Sequence, residues 1–319
     1  MASTTSASRL QTFTEEWLPG WDGLNFYTRT YTPADGAPRA VVLFVHGFAE
    51  YIGRYEWAHG VYATRGIAVV AFDQRGFGLT AMGDSAHVSK ASKYGKTSWR
   101  NQFADIDWWL RHVRDRFPGV PVFLMGHSMG GGLSLGFATR TSPPPAPDGV
   151  AHLSGVIASS PLILLTHPSS RILRFLGWLA SFVLPSFVIP APVNPDHLSH
   201  DLAINAANAK DPLCPQSGSV KGVNDMLNGG EELFRNSYKN WPKELPLYMV
   251  HGTGDEVTSC KASEEFCEKV VADDKTFVPV EGGFHELANE TPGGMKDRYV
   301  DGCIAWILEH VETTPLTQL

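Results

Sequence analysis

A serine between two glycines, a carboxylate after one strand-like run and a histidine after another could together carry out acyl transfer. This chain holds all three, in the order that chemistry needs. Gly126-His127-Ser128-Met129-Gly130 follows the apolar run Phe123-Leu124-Met125 and leads into Gly131 and Gly132. That pattern is a nucleophile elbow, a strand-to-helix turn that lifts one hydroxyl above a sheet edge. Glycines flank Ser128 because a Cβ in so crowded a turn would meet neighbouring backbone. The helix that follows aims its first N–H groups and the positive end of its dipole at the reacting centre.

A serine hydroxyl is a weak nucleophile at neutral pH and needs a base. Leu247-Tyr-Met-Val-His-Gly252-Thr-Gly254-Asp255 reads as strand, glycine turn, carboxylate, and Val278-Pro-Val-Glu281-Gly282-Gly283-Phe284-His285 as strand, glycine turn, imidazole. Ser128 is therefore the expected nucleophile, His285 the general base and then acid, and Asp255 the group that orients His285 and stabilises its cation. Taken singly, Asp255 also reads as a turn residue beside Glu256, and His285 is one of twelve histidines. Asp73, Asp225 and Asp274 are rival acids, but none follows a strand at the required point in the order.

His46-Gly47-Phe48-Ala49-Glu50 follows another apolar run, and a backbone N–H there would help stabilise an oxyanion. Phe48 is the expected donor, with Met129 the second. Two aimed donors are each worth roughly 10²–10³ in rate. His46 and His127 read as structural, and Arg75 as a brace between loops. His197 and His200, with Asp196 and Asp201 beside them, lack a third ligand at a convincing spacing, so neither a metal nor a cofactor is expected.

The elements that must position these groups alternate. Val41–Val45, Ile67–Phe72, Pro121–Met125, Gly155–Ser159, Leu245–Val250 and Thr276–Val280 read as strands, the first two as runs buried on both faces of a parallel sheet. Ser98–Phe117, Ser128–Arg140, Lys261–Val271 and Met295–His310 read as helices. This alternation is the signature of a mostly parallel α/β sheet flanked by helices. It stops from Pro161 to about Asn228, where apolar residues, prolines and Asn/His/Asp turns take over. The simplest reading is one α/β domain over 1–319 with a cap inserted at about 161–228, laid over the strand ends where ligands bind in such sheets.

With 319 residues, 43% of them hydrophobic, the chain can bury one large core, and a net charge of −7 with no basic, aromatic-interleaved stretch argues against nucleic acid. Cys214, Cys260, Cys267 and Cys303 lack disulfide or metal spacing and read as free buried thiols in a reducing compartment. Met1–Leu10 is Ser/Thr-rich without an apolar core, unlike a secretory signal, and Thr317-Gln318-Leu319 matches no peroxisomal address. The most apolar stretch, Ile172–Val193, is broken by Pro185, Pro190 and Pro192. Its longest unbroken piece, Phe175–Leu184, is too short to span a bilayer core of roughly 30 Å. It reads as an interfacial or core helix.

His46-Gly-Phe-Ala-Glu-Tyr-Ile-Gly53-Arg54-Tyr55, Phe72-Asp-Gln-Arg-Gly-Phe-Gly78, Gly126-His-Ser-Met-Gly-Gly-Gly132, Ser159-Ser-Pro-Leu162, Asp211-Pro212 and Phe284-His285-Glu286 together carry a resemblance. The chain resembles the monoacylglycerol lipases of the α/β-hydrolase superfamily, the fungal members more than the animal ones, from about residue 15 to about 311. The resemblance implies a cytosolic or membrane-peripheral serine hydrolase that cleaves monoglycerides to fatty acid and glycerol beneath a mobile cap with an apolar face. It places Ser128, Asp255 and His285 on the family triad, Phe48 and Met129 on its oxyanion donors, and Glu50 and Arg54 near the glycerol end. It also marks departures. The animal His-Gly-Ala-Gly-Glu is His-Gly-Phe-Ala-Glu here, a cap tyrosine corresponds to Asn208, and a cysteine past the acid corresponds to Thr258.

The residues agree with an acyl substrate. The cap segment carries Leu162, Ile163, Leu164, Leu165, Ile172, Leu173, Phe175, Leu176, Trp178, Leu179, Phe182, Val183 and Leu184, of which Leu162, Leu179 and Phe182 are the expected acyl contacts. A channel of such residues stabilises a chain by about 0.8 kcal/mol per buried methylene. Trp178, Phe182 and Phe187 are expected to touch a membrane or lipid-droplet surface. The competing substrates are lysophospholipids and fatty-acid ethyl esters. The competing classes are a slow-turnover hydrolase-fold receptor and a cofactor-free haloperoxidase.

Overall fold

The structure, a computed structural model, describes residues 13–146, 148–168 and 170–313, with the side chains of 171, 173, 312 and 313 set aside. The terminal segments Met1–Leu10 and Thr317–Leu319, and the Leu173 side chain, lie outside what it describes.

From the N-terminus, β1 (Phe13–Pro19) and β2 (Asn25–Tyr31) form an antiparallel pair, followed by β3 (Ala40–Val45), α1 (Glu56–Thr64), β4 (Ile67–Phe72), α2 (Gly78–Met82) and α3 (Trp99–Arg116). Then come β5 (Val122–His127), α4 (Met129–Thr139) and β6 (Gly155–Ser159). The excursion that follows holds α5 (Arg171–Val183), β7 (Val188–Pro190), α6 (Leu202–Lys210), β8 (Ser217–Ser219) and α7 (Val220–Arg235). The chain returns through β9 (Leu247–Gly252), α8 (Cys260–Lys269), β10 (Lys275–Val280) and α9 (Met295–Thr313).

Eight strands form one sheet in the order β1-β2-β4-β3-β5-β6-β9-β10. Only the pairings of β2, with β1 and with β4, are antiparallel; every other pairing in this sheet is parallel. The central strands are buried on both faces, and alternate residues of one strand supply two separate cores. Val41, Leu43 and Val45 join the core under α3, α4 and α7, whereas Val42 and Phe44 join the one under α1 and α9.

All the expected strands and helices are present, with no end shifted by more than three residues. Ser98 proves to be the N-cap of α3, its hydroxyl accepting the Asn101 N–H. β1, β2 and α1 were not expected. β1 is a partly exposed edge strand, β2 beside it mixes buried aromatics with Asn, Thr and Arg, and α1 carries His59 and Gly60 within a weak apolar stripe. Position 228 falls inside α7, which continues to Arg235 and packs against α4 and α5.

Among the four cysteines, all free, Cys260 is half-buried instead of buried. The apolar helix α5 turns much of its surface outward: Phe175 is 57% exposed, Phe182 68% and Phe187, just beyond it, 60%. No helix among the described residues is long and apolar enough to cross a membrane.

Candidate active site

Ser128 sits between the end of β5 and the start of α4, and its φ of +54° is the left-handed conformation that costs a non-glycine residue about 1–3 kcal/mol. Neighbouring backbone holds it there. Its N–H donates to Ser159 O at 3.0 Å, and its carbonyl accepts from Gly132 N and Leu162 N, each at 2.9 Å. The flanking glycines are required by contact: a Cβ on Gly130 would lie 2.0 Å from Val45 O, and one on Gly126 would lie 2.1 Å from Gly130 O.

The three residues singled out in the sequence meet at this point. Ser128 Oγ is 2.9 Å from His285 Nε2, and His285 Nδ1 is 2.8 Å from Asp255 Oδ2. All three are nearly buried. Asp255 Oδ1 accepts the backbone N–H of Val257 at 2.7 Å and of Thr258 at 2.9 Å. Burial pushes the Asp255 carboxyl up, but His285 and His251 more than offset this and hold it well below the usual carboxylate range. Burial pulls His285 down, yet the Asp255 anion, with Glu286 and Glu50 further away, leaves it above its ordinary value. A hydroxyl, an imidazole and an ionised carboxylate in this row can move a proton off Ser128 and return it to a leaving group.

Phe48 borders the same space, and Met129 follows Ser128 directly in the chain. Met129 is the first residue of α4, so its N–H has no acceptor within the helix, and among the described residues no hydrogen bond engages the Phe48 N–H. The loop between them is fixed at both ends. His46 donates Nδ1–H to Gly47 O at 2.8 Å and accepts Gln74 N–H on Nε2 at 2.8 Å, while Glu50 accepts the Gly47 N–H. Burial pushes His46 down to about 4 and His127 down to about 3, so both are neutral packing groups at pH 7. The Phe48 ring lies edge-on to Phe77, with ring centroids 5.6 Å apart.

Glu50 and Arg54 lie on one wall as part of a larger cluster. Arg54 reaches Glu50 at 3.1 Å and grips Glu286 with both nitrogens, at 2.6 and 2.7 Å. Tyr55 Oη donates to Glu50 at 2.8 Å, and the Asn208 amide, turned so that its oxygen faces Arg54, accepts from it at 3.1 Å. Burial pushes Glu286 up, but Arg54 more than offsets this and holds it below the ordinary carboxylate range. Two carboxylates and one guanidinium give this wall one net negative charge.

The remaining lining is Ala49, Val193, Leu198, Gln216 and Val257. The free volume is about 40 Å³, room for water but not for an acyl chain. Leu162 is packed in the core beneath α4 and the exposed Leu179 and Phe182 lie on α5, so none of these three borders the cavity. Arg75 braces Asp105 at 2.6 Å and Asp22 at 2.8 Å, as expected of a loop brace. His200 pairs with Glu290, and no group of three or more potential metal ligands occurs among the described residues.

Sequence reasoning passed over Glu286 and His251. The first stands beside His285, but its partner Arg54 is 232 positions away and leaves no local pattern. The second is an imidazole inside an apolar strand, four residues before Asp255, and that spacing was its one available signal.

The family model described as "Serine aminopeptidase, S33" (Hydrolase_4) matches residues 36–292. A putative monoglyceride lipase of Schizosaccharomyces pombe is 35% identical over 291 residues, covering 90% of this chain and 72% of that protein. The monoglyceride lipase of Saccharomyces cerevisiae is 27% identical over 285 residues, covering 86% of each chain. A crystal structure of a soluble variant of the latter enzyme, in complex with a substrate analog, superposes with a TM-score of 0.83 at 25% identity, covering 99% of this chain and all of that one. Fold, residue order and extent of match agree, and the chain belongs to this α/β-hydrolase family, among the relatives of the monoglyceride lipases.

Proposed function

We propose that this protein hydrolyses the ester bond of monoacylglycerols, releasing a fatty acid and glycerol through an acyl-enzyme on Ser128. The observation that carries the reading is the hydrogen-bonded row Ser128–His285–Asp255 beside a polar, net-negative wall. In the first half-reaction His285 Nε2 takes the Ser128 proton as Oγ bonds to the ester carbon. The carbonyl oxygen becomes an anion held by the N–H groups of Phe48 and Met129. The tetrahedral species collapses, the bond to the glycerol oxygen breaks, and His285 gives its proton to that oxygen. Water then repeats the sequence on the acyl-enzyme and frees the fatty acid.

The wall of Glu50, Arg54, Glu286 and Asn208 suits a neutral polyol better than a phosphate ester, because its net negative charge repels an anionic head group. It suits an N-terminal ammonium no better. The oxygens of Glu50 and Glu286 are already committed to Gly47, Tyr55, Arg54 and Asn289. An acyl chain needs far more than the present 40 Å³. The segment bearing Val193, Leu198, Asn208 and Gln216 must therefore shift to admit it, and Leu162, Leu179 and Phe182 would become acyl contacts only through that shift.

The exposed apolar surface of α5, with Phe175, Trp178, Phe182 and Phe187, fits transient seating on a lipid-droplet or intracellular membrane surface by a cytoplasmic protein. The functional test is glycerol and fatty-acid release from 1- and 2-oleoylglycerol, wild type against Ser128→Ala, with lysophosphatidylcholine and an aminoacyl amide for comparison. Rapid glycerol release that the substitution abolishes supports the reading. Release only from the lysolipid or the amide would overturn the substrate and leave the fold intact.

A further inference from the structure

Asp255 receives more donors than a triad requires. Its Oδ2 lies 2.8 Å from His285 Nδ1, 2.9 Å from Thr258 Oγ1 and 3.0 Å from His251 Nε2. His251 occupies the next-to-last position of β9 and is fully buried. Its Nε2 also faces Thr258 O at 3.0 Å and, further off, Thr258 Oγ1 at 3.4 Å; the two nearest neighbours can only accept, which assigns the proton to Nε2. The other nitrogen, Nδ1, is 2.9 Å from Ser263 Oγ on α8, which can donate to it. Ser263 thus satisfies the unprotonated nitrogen of the tautomer that turns an N–H on Asp255.

We propose that His251 is a positioning residue which, by donating Nε2–H to Asp255 Oδ2, divides that carboxylate's charge between two imidazoles and sets the pH at which His285 becomes a base. The proposal rests on reading Ser128, Asp255 and His285 as catalytic, and it adds a member that touches neither substrate nor reacting atoms.

A carboxylate oxygen that already accepts strong hydrogen bonds is a weaker acceptor for the next one. With His251 in place, Asp255 is fixed in orientation but attenuated in its pull on the His285 proton. Without it, Asp255 draws more strongly on His285 Nδ1–H, and the imidazolium persists to higher pH. The other groups that bear on His285 stay as they are. His127 on β5 lies ring against ring at 4.8 Å; Glu50 and Glu286 stand on the far side with Arg54 between them; Cys260, at the start of α8, is on the Asp255 side.

The test is the pH dependence of kcat/KM on a soluble p-nitrophenyl ester, over about pH 5 to 9, for wild type, His251→Leu and His251→Gln. Losing one charge-assisted hydrogen bond is expected to move the acidic midpoint of His251→Leu upward by about half a unit to one unit. His251→Gln, which can still donate an N–H, is expected to keep the wild-type midpoint. An unmoved midpoint in folded His251→Leu, or an equal shift in both variants, overturns the proposal. If His251→Leu does not fold, nitrogen-15 NMR of wild-type histidines decides. An Nε2–H tautomer on His251 whose signal moves as His285 titrates supports the assignment, and an Nδ1–H tautomer or a static signal overturns it. Wild-type esterase activity that survives Ser128→Ala would instead refute the underlying triad.

Discussion

Replacing Glu286 by Gln changes the charge of the polar wall and little of its shape. The wall then goes from one net negative charge to none, because Arg54 still pairs with Glu50 at 3.1 Å. Consider a lysophosphatidate phosphate at an assumed separation of roughly 7 Å from the Glu286 carboxylate. At an effective dielectric of about 20, the repulsion removed is about 2 kcal/mol, or roughly thirtyfold in relative rate. Glutamine can still accept one hydrogen bond from Arg54, so the stability lost should be near 1–2 kcal/mol and the protein should remain folded. The assay is fatty-acid release from 1-oleoylglycerol and from 1-oleoylglycerol-3-phosphate in mixed micelles, with a thermal melt as the control for folding. It is run on the alkaline plateau of each protein's pH–rate profile, so that a changed His285 titration does not enter the comparison. The expected result is a rise of about tenfold or more in the phosphate-to-glycerol rate ratio. If both rates fall in parallel and the ratio stays within about threefold, charge on this wall does not set head-group choice.

Three further outcomes follow from the same geometry. Gly130→Ala places a Cβ 2.0 Å from Val45 O, and the expected cost exceeds about 3 kcal/mol, read as lost soluble yield or a collapsed melting temperature. Activity on soluble esters should rise with pH. Protonated His285 cannot accept the Ser128 proton, and because the Asp255 anion more than offsets burial, the midpoint should lie above the ordinary 6.5. A midpoint below that value in a stopped-flow pH series would contradict the assigned charge balance. Phe175→Ser with Phe187→Ser removes two rings that are 57% and 60% exposed. Flotation with zwitterionic vesicles should show binding weakened by about 3 kcal/mol, roughly a hundredfold, while soluble-ester hydrolysis is retained.

The site was legible where local backbone chemistry dictates it. The elbow around Ser128 needs glycines at fixed offsets, and Asp255 and His285 follow strands that end in glycine turns, so order and spacing reveal them. The central strands were legible because burial on both faces leaves continuous apolar runs. The sheet edge was not. Phe13–Pro19 carries Glu15 and Glu16 on a partly exposed edge strand, and Asn25–Tyr31, buried beside it, breaks its apolar run with Thr28, Arg29 and Thr30, so both read as polar. The polar wall was only half legible, because the Arg54–Glu286 pair joins segments that meet through tertiary packing. The helix Val220–Arg235 was hidden by its own glycines. Gly230 brings that helix against Ile163 O, where a Cβ would stand 2.4 Å away, and a residue type that usually marks a loop here marks close contact. The expected acyl contacts were chosen for apolarity alone. Composition cannot tell a residue that fills the core, such as Leu162, from one that faces a surface, such as Phe182.

The proposed reaction runs through a covalent acyl-enzyme on Ser128 formed from a monoacylglycerol. The most direct measurement mixes the protein with oleoylglycerol labelled in the acyl chain, quenches in acid within one turnover, and maps the label by peptide mass spectrometry. One oleoyl group is expected on the peptide containing Ser128, formed in step with a burst of glycerol and absent from Ser128→Ala. Glycerol released with no acylated peptide at any quench time, or label on another residue, would contradict it.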